Sequence, residues 1–311
     1  MFIFLYIVKI LTIDEFAQFV LYLIVVDLLV VISGFGLAST MLRIEDLEKK
    51  IVLNNSLVII TLASFFLAIF FTLGLPYLTK IPGGNYIFLK DYGVIVIVAF
   101  IAKSFLSLFR GFLISISDPK RYSKLNIFME IAFFSSLMLY LLGFIRVEIS
   151  LLNYVLLSQA FSATLTLIYG FFLISDSLSL DKISVNYISN IVAKSWAYLL
   201  KNIVGVFQME ASKIVLSIVS TTTMVGIYSF YLLIVNKMSF FIGIFDKVFI
   251  PKIKTLYASR NNSKTKHAHY LVKRVTRFYT YLMLLLLSFI GFIFIFISKN
   301  SSLFPFFQQD Y

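Results

Sequence analysis

The sequence predicts an all-α, polytopic membrane helix bundle with eight full transmembrane helices plus a partial N-terminal one. Three observations carry that expectation. Hydrophobic residues fill 60% of the 311 positions and charged residues only 14%, whereas a soluble domain is about 45–50% apolar and about a quarter charged. Mean hydropathy is +0.96, which is more apolar surface than one core can hide, so the excess must face lipid. The apolar residues also come in long unbroken runs, without the in–out alternation of a membrane barrel. Cysteine is absent, which removes disulfide scaffolds, thiolate nucleophiles and Cys-ligated metal centres. The two histidines, His267 and His269, are a poor basis for imidazole catalysis, so neither an enzyme nor a cofactor is expected. In a membrane protein the formal charge of +12 points to loops and anionic headgroups rather than to nucleic acid.

About 20 mostly apolar residues are needed to cross the hydrocarbon. Eight stretches meet that length, at residues 16–42, 51–78, 92–117, 125–145, 149–175, 191–220, 222–250 and 278–297. Ahead of them, 1–13 is apolar, interrupted by Lys9 and too short to span. It lacks the basic start and small-residue cleavage site of a signal peptide and reads as the last half of a helix. Pro82-Gly83-Gly84 and Asp118-Pro119 mark turns at opposite ends of the bundle.

Loop charge sets the expected orientation. One side collects Arg43, Lys49, Lys50, Lys120, Arg121, Lys124, Lys182, Lys252, Lys254, Arg260, Lys264, Lys266, Lys273, Arg274 and Arg277, fifteen in all. The other has four, Lys80, Lys90, Arg146 and Lys299. Short cytoplasmic loops are rich in Lys and Arg, so loops 43–50, 118–124, 176–190 and 251–277 are expected in the cytoplasm. His267-x-His269 lies in the last of these without an acidic partner and reads as solvated loop. Asn54-Asn55-Ser56 and Asn261-Asn262-Ser263 fit a glycosylation pattern but fall on the cytoplasmic side, where it carries no function.

Charges inside spans need a reason, because each costs about 2.5–3.5 kcal/mol at a helix centre. The residues in question are Asp27, Lys103, Arg110, Glu130, Lys194, Lys201, Glu210, Lys213, Lys237 and Asp246; those near a helix end can snorkel to the interface. Lys103 and Arg110 are seven apart, with Ser107 between them, and Lys194, Lys201 and Gln208 repeat the same interval. Each set therefore lies on nearly one helix face. Two cationic stripes turned toward a shared watery cavity would attract an anion, which makes Lys103, Arg110, Lys201 and Gln208 the expected substrate-binding residues. The alternative is internal pairing with Asp27, Glu130 and Glu210, for which Glu210 and Lys213 at i,i+3 are well spaced. Asp27 and Glu130 are also candidates to carry a proton, since burial raises a carboxyl pKa. Trp196 and Tyr198 fit an interfacial belt or a sugar-stacking platform.

Four segments resemble the Wzx-type polysaccharide flippases of the multidrug/oligosaccharidyl-lipid/polysaccharide exporter superfamily. Leu11-Thr12-Ile13-Asp14-Glu15-Phe16-Ala17-Gln18-Phe19 is similar to the outer turn between that family's first two helices. Gly36-Leu37-Ala38-Ser39-Thr40-Met41-Leu42-Arg43 resembles the end of its second helix, and Phe109-Arg110-Gly111-Phe112 with Tyr122-Ser123 and Asn126 the passage from fourth to fifth. Glu210-Ala211-Ser212-Lys213, then Val225-Gly226-Ile227-Tyr228-Ser229 and Pro251, resembles its seventh and eighth helices. The likeness implies a two-lobed exporter fold: an N-terminal lobe at 1–175, an inter-lobe cytoplasmic loop at 176–190 and an incomplete C-terminal lobe at 191–311, truncated relative to family members at both ends. It further implies translocation of undecaprenyl-pyrophosphate-linked oligosaccharide across the bacterial cytoplasmic membrane, for O-antigen or capsule assembly, coupled to a proton or sodium ion. Lys103, Arg110 and Lys201 would hold the pyrophosphate. Membrane lipids, a polysaccharide polymerase and chain-length machinery are the implied partners, and no nucleic acid. The alternatives are an inactive flippase remnant, a multidrug or cation antiporter, and a polytopic polysaccharide polymerase.

Overall fold

The computed structural model describes residues 10–44, 48–81, 85–142, 150–179, 183–233 and 235, with scattered positions between 270 and 288. Among the described residues the chain is helical, with no strand. The elements are α1 (Ile13–Ser33), α2 (Leu37–Met41), α3 (Lys49–Leu78), α4 (Leu89–Ser115), α5 (Pro119–Leu141), α6 (Leu151–Ile174, continued by a 3-10 turn at Ser175–Ser177), α7 (Val185–Val219) and the short α8 (Thr222–Leu233). Five of these helices, α1, α3, α4, α6 and α7, are long and apolar enough to cross a membrane. The exposed flank of α3 shows why they belong there. Phe65 is 62% and Phe70 68% exposed, an apolar surface that water disfavours and hydrocarbon accepts.

The helix boundaries differ from the sequence reading in ways with local causes. The run 16–42 is not one helix. It breaks at Gly34-Phe35-Gly36, where Phe35 and Gly36 take positive φ of 46° and 70°, and the chain re-enters a helix at Leu37. Hydropathy alone does not register this break, because no charged residue accompanies it. α5 starts at Pro119 rather than 125. Asp118 caps it by accepting from the Arg121 backbone N–H at 3.0 Å, and proline suits a first turn whose N–H has no partner. Lys120, Arg121, Lys124 and Glu130 lower its hydropathy, so α5 is not among the five candidate spans although it runs 23 residues. α7 starts at Val185, ahead of 191, through a polar first turn. Of the run 222–250, the described part is α8 with Val235; of 251–297 only scattered positions are described, and Lys237, Asp246, His267 and His269 lie outside the described residues.

Packing divides the chain into two compact units, Asp14–Gly226 and a second made of Met1–Ile13 with Ile227–Tyr311. The segment 176–190 lies inside the first unit. Within that unit α4 packs on α6 and α3, α5 on α6, and α2 is wedged between α4 and α7. Its core gathers Leu37, Met41, Leu53, Ile60, Leu106, Phe109, Phe112, Leu113, Leu125 and Ile174. Polar ties gather the helix ends into two layers. In one, the Lys49 ammonium donates to the Ser115 carbonyl, and Arg121 donates to the Leu173 carbonyl at 3.0 Å and pairs with Asp176 at 3.6 Å. Asn54 donates to the Ser177 carbonyl and accepts from the Ser179 N–H, while Asn55 accepts from the Ser184 N–H. In the other layer, Thr223 donates to Asp14 at 2.9 Å, and Asn85 and Tyr86 meet the end of α7. Helices that alternate in direction produce this arrangement.

Candidate functional site

The site is framed by how α7 is held. At one end, Gly36 sits so close to it that a Cβ would lie 2.7 Å from the Leu199 nitrogen and 2.7 Å from the Ser195 carbonyl oxygen. Only a residue without a side chain allows that approach, and φ of 70° independently favours glycine. One turn on, Thr40 and Ser195 hydroxyls meet at 2.8 Å, both buried. On its other side α2 meets α4, where a Cβ on Gly111 would fall 2.8 Å from the Ala38 Cα. Small residues at each contact let three backbones come together, as expected of helix contacts in a membrane.

At the far end of α7, Asn85 donates to the carbonyls of Ser217 at 2.6 Å and Ser220 at 3.0 Å, and accepts from the Thr222 hydroxyl at 2.6 Å. The Tyr86 hydroxyl lies 2.7 Å from that of Ser217. Burial pushes the Tyr86 hydroxyl above the ordinary tyrosine pKa, with the Ser217 bond acting the other way. Between these anchors α7 is only partly covered: no residue from Leu200 to Leu216 is buried. That stretch carries Lys201, Gln208, Glu210 and Lys213.

The structure brings four of the expected residues together in pairs. Lys103 of α4 reaches Asp27 of α1 at 3.4 Å; the lysine side chain is 18% and the aspartate 57% exposed. Beside them the Ser33 and Ser104 hydroxyls form a buried hydrogen bond that fixes α1 against α4. Glu210 and Lys213 form the i,i+3 ion pair that their spacing suggested. Arg110 is not joined to Lys103 in a common stripe. It is directed to α5, where its guanidinium donates to the Met129 Sδ at 3.3 Å, while Lys103 turns to α1. Glu130 is exposed on α5, and Lys201 and Gln208 are exposed on α7. Lys201 has no ion-pair partner among the described residues.

Height along the bundle relates the two helices. Lys103 lies eight residues from Gly111 and Lys201 six from Ser195, and both reference points pack on α2. At about 1.5 Å per residue the two lysines stand about 12 and 9 Å from that layer, at comparable depth. Both are close to the middle of helices long enough to span. A carboxylate more than half exposed at mid-helix would cost about 2.5–3.5 kcal/mol against hydrocarbon. Among the described residues no cluster of His, Asp and Glu forms a metal site.

Sequence reasoning passed over Asn54 and Asn55, whose buried amides fasten α3 to the chain between α6 and α7. A polar pair inside an otherwise apolar helix was the available signal. No family model, curated protein or solved structure matches the chain.

Proposed function

We propose that the protein translocates a lipid-linked anionic saccharide, of the undecaprenyl-pyrophosphate oligosaccharide class, across a bacterial cytoplasmic membrane for surface polysaccharide assembly. The observation that carries this reading is the mid-helix Asp27–Lys103 pair, open on one side, with the unpaired Lys201 at similar depth on a helix buried only at its ends. Positive groups in a low-dielectric, water-lined path offset the cost of moving a pyrophosphate through the bilayer, which is the most expensive part of such a substrate. The lipid tail stays in hydrocarbon, and no bond is made or broken. Lys103 and Lys201 are the phosphate ligands in this scheme, with Arg110 beyond them toward α5 and Gln208 available for a sugar hydroxyl. Protonation of Asp27 would release Lys103 from its ion pair and present it to the substrate, which couples a proton to the cycle. Glu210–Lys213 is kept as a self-contained pair, and Glu130 is a second proton-carrying candidate. The basic end of the bundle, with Arg43, Lys49, Lys120, Arg121 and Lys124, faces the cytoplasm.

Complementation tests the proposal. Expressed in a strain lacking its own polysaccharide flippase, the chain restores surface polymer, and Lys103→Met or Lys201→Met loses it while membrane levels are unchanged. Polymer that persists in the double variant rules out the two lysines as phosphate ligands. A second reading, cation antiport, draws on Asp27, the more open member of its pair. It predicts that Asp27→Asn abolishes cation efflux while Lys201→Met leaves it intact.

A further inference from the structure

We propose that the open cavity at the Arg43 end of the bundle binds the headgroup of a zwitterionic phospholipid, one carrying a phosphodiester and a primary ammonium. The inference stands apart from the translocation reading and holds whatever the protein moves. The cavity measures about 500 Å³ and is lined by Thr40, Arg43, Ile44, Glu48, Lys194 and Tyr198. Three of these side chains are charged, two positive and one negative, and none has an ion-pair partner among the described residues. Opposite charges that line one cavity without pairing leave each free for a ligand group of its own.

The geometry orders those groups. Arg43 lies with its guanidinium carbon 4.9 Å from the centre of the Tyr198 ring. That cation–π contact tethers the guanidinium beside the ring, and a guanidinium held so still has N–H groups to donate. The floor is rigid, because the Thr40 hydroxyl is held by the Gly36 carbonyl at 3.1 Å and by Ser195, and Gly36 locks α2 to the backbone that carries Lys194 and Tyr198. A phosphodiester takes the Arg43 fork and the Lys194 ammonium. The Glu48 carboxylate accepts N–H bonds from a primary ammonium. A quaternary ammonium has no N–H to give, and a purely anionic headgroup would leave Glu48 beside its negative charge, so the carboxylate sets the selectivity. Depth agrees with a lipid source. Trp196, next to Ser195 in the chain, is 54% exposed and packs on Phe35, the amphipathic placement typical of a membrane interface.

The test uses the full chain in detergent, titrated with ethanolamine, choline and glycerol phospholipids of identical acyl chains and read by native mass spectrometry. The wild type retains the ethanolamine lipid about tenfold better than the choline lipid, the worth of one charge-assisted hydrogen bond. Glu48→Gln removes that preference and leaves choline-lipid binding unchanged, which also shows that the variant is folded. Lys194→Gln weakens all three lipids, and Arg43→Lys, which keeps the charge, preserves the ethanolamine preference. Soluble glycerophosphoethanolamine at matched concentration does not displace the lipid. Equal retention of the three lipids, strongest retention of the glycerol lipid, a preference that survives Glu48→Gln, or displacement by the soluble headgroup each overturns the proposal.

Discussion

The ends of α7 and its middle are built from different kinds of residue and do different things. Around Ser195 and Ser217 the helix meets glycine, serine, threonine and asparagine, which let backbones approach and exchange hydrogen bonds. Between them lie seventeen residues, Leu200 to Leu216, none of them buried, bearing Lys201, Gln208 and the Glu210–Lys213 pair. The helix is therefore buried at its two ends and only partly covered between them. Close backbone contact is concentrated where side chains are small, and the exposed polar residues Lys201 and Gln208 lie between. Substitutions at the ends should alter folding, and those in the middle the proposed translocation.

The largest effect is expected at Gly36. Gly36→Ala places a side chain in a left-handed backbone position, at about 1–2 kcal/mol, and forces a Cβ against the α7 backbone, at about 1–3 kcal/mol more. Thermal unfolding of the purified chain in detergent should show a clear fall in midpoint. Gly111→Ala, which meets the Ala38 Cα but has ordinary φ, should lose less. Next comes Asn85→Ala, which strips hydrogen bonds from the Ser217 and Ser220 carbonyls and the Thr222 hydroxyl. Only the Ser217 bond is buried, and orphaning that carbonyl costs about 1–3 kcal/mol, while the part-buried Ser220 and Thr222 groups can turn to water. This variant should unfold earlier while a middle variant, Lys201→Met, unfolds like the wild type. Lys201→Met should instead lose polymer export in the complementation strain. If Lys201→Met destabilises as much as Asn85→Ala, the contrast between ends and middle fails.

The smallest effect is a pH dependence at the Asn85 end. The Tyr86 pKa is raised in the folded chain by burial, so the folded state holds that proton more tightly than the unfolded state does. Its contribution is complete below the unfolded tyrosine pKa of about 10 and declines as pH rises through the higher folded value. Unfolding midpoints measured from pH 8 upward, with pH 8 taken as roughly two units below that pKa, should fall more steeply for wild type than for Tyr86→Phe.

Much of this was legible in the residues. Unbroken apolar runs located five helices long and apolar enough to cross a membrane among the described residues, where eight were expected, and i,i+3 spacing gave the Glu210–Lys213 pair. The Gly36–Arg43 segment stood out by resemblance, although its physical meaning, a wedge between α4 and α7, needs three dimensions. The sequence offered two fates for Lys103, an anion site or a partner for an acid. The structure shows it paired with Asp27 in a pair that remains open on one side, an arrangement that periodicity cannot distinguish from either. The break at Gly34-Phe35-Gly36 escaped because hydropathy is blind to φ. Arg110 was assigned to the Lys103 face from a seven-residue interval, yet long side chains on one stripe can lean to different neighbours, here α5 and α1.

The central claim is that the polar middle of α1, α4 and α7 borders water rather than lipid. The absence of cysteine makes one experiment decisive: single substitutions Asp27→Cys, Lys201→Cys and Phe70→Cys, each treated in membranes with a charged, membrane-impermeant thiol reagent. The account predicts that the first two are labelled and that the third, on the exposed apolar flank of α3, is not. Labelling of Lys201→Cys no faster than that of Phe70→Cys would contradict it.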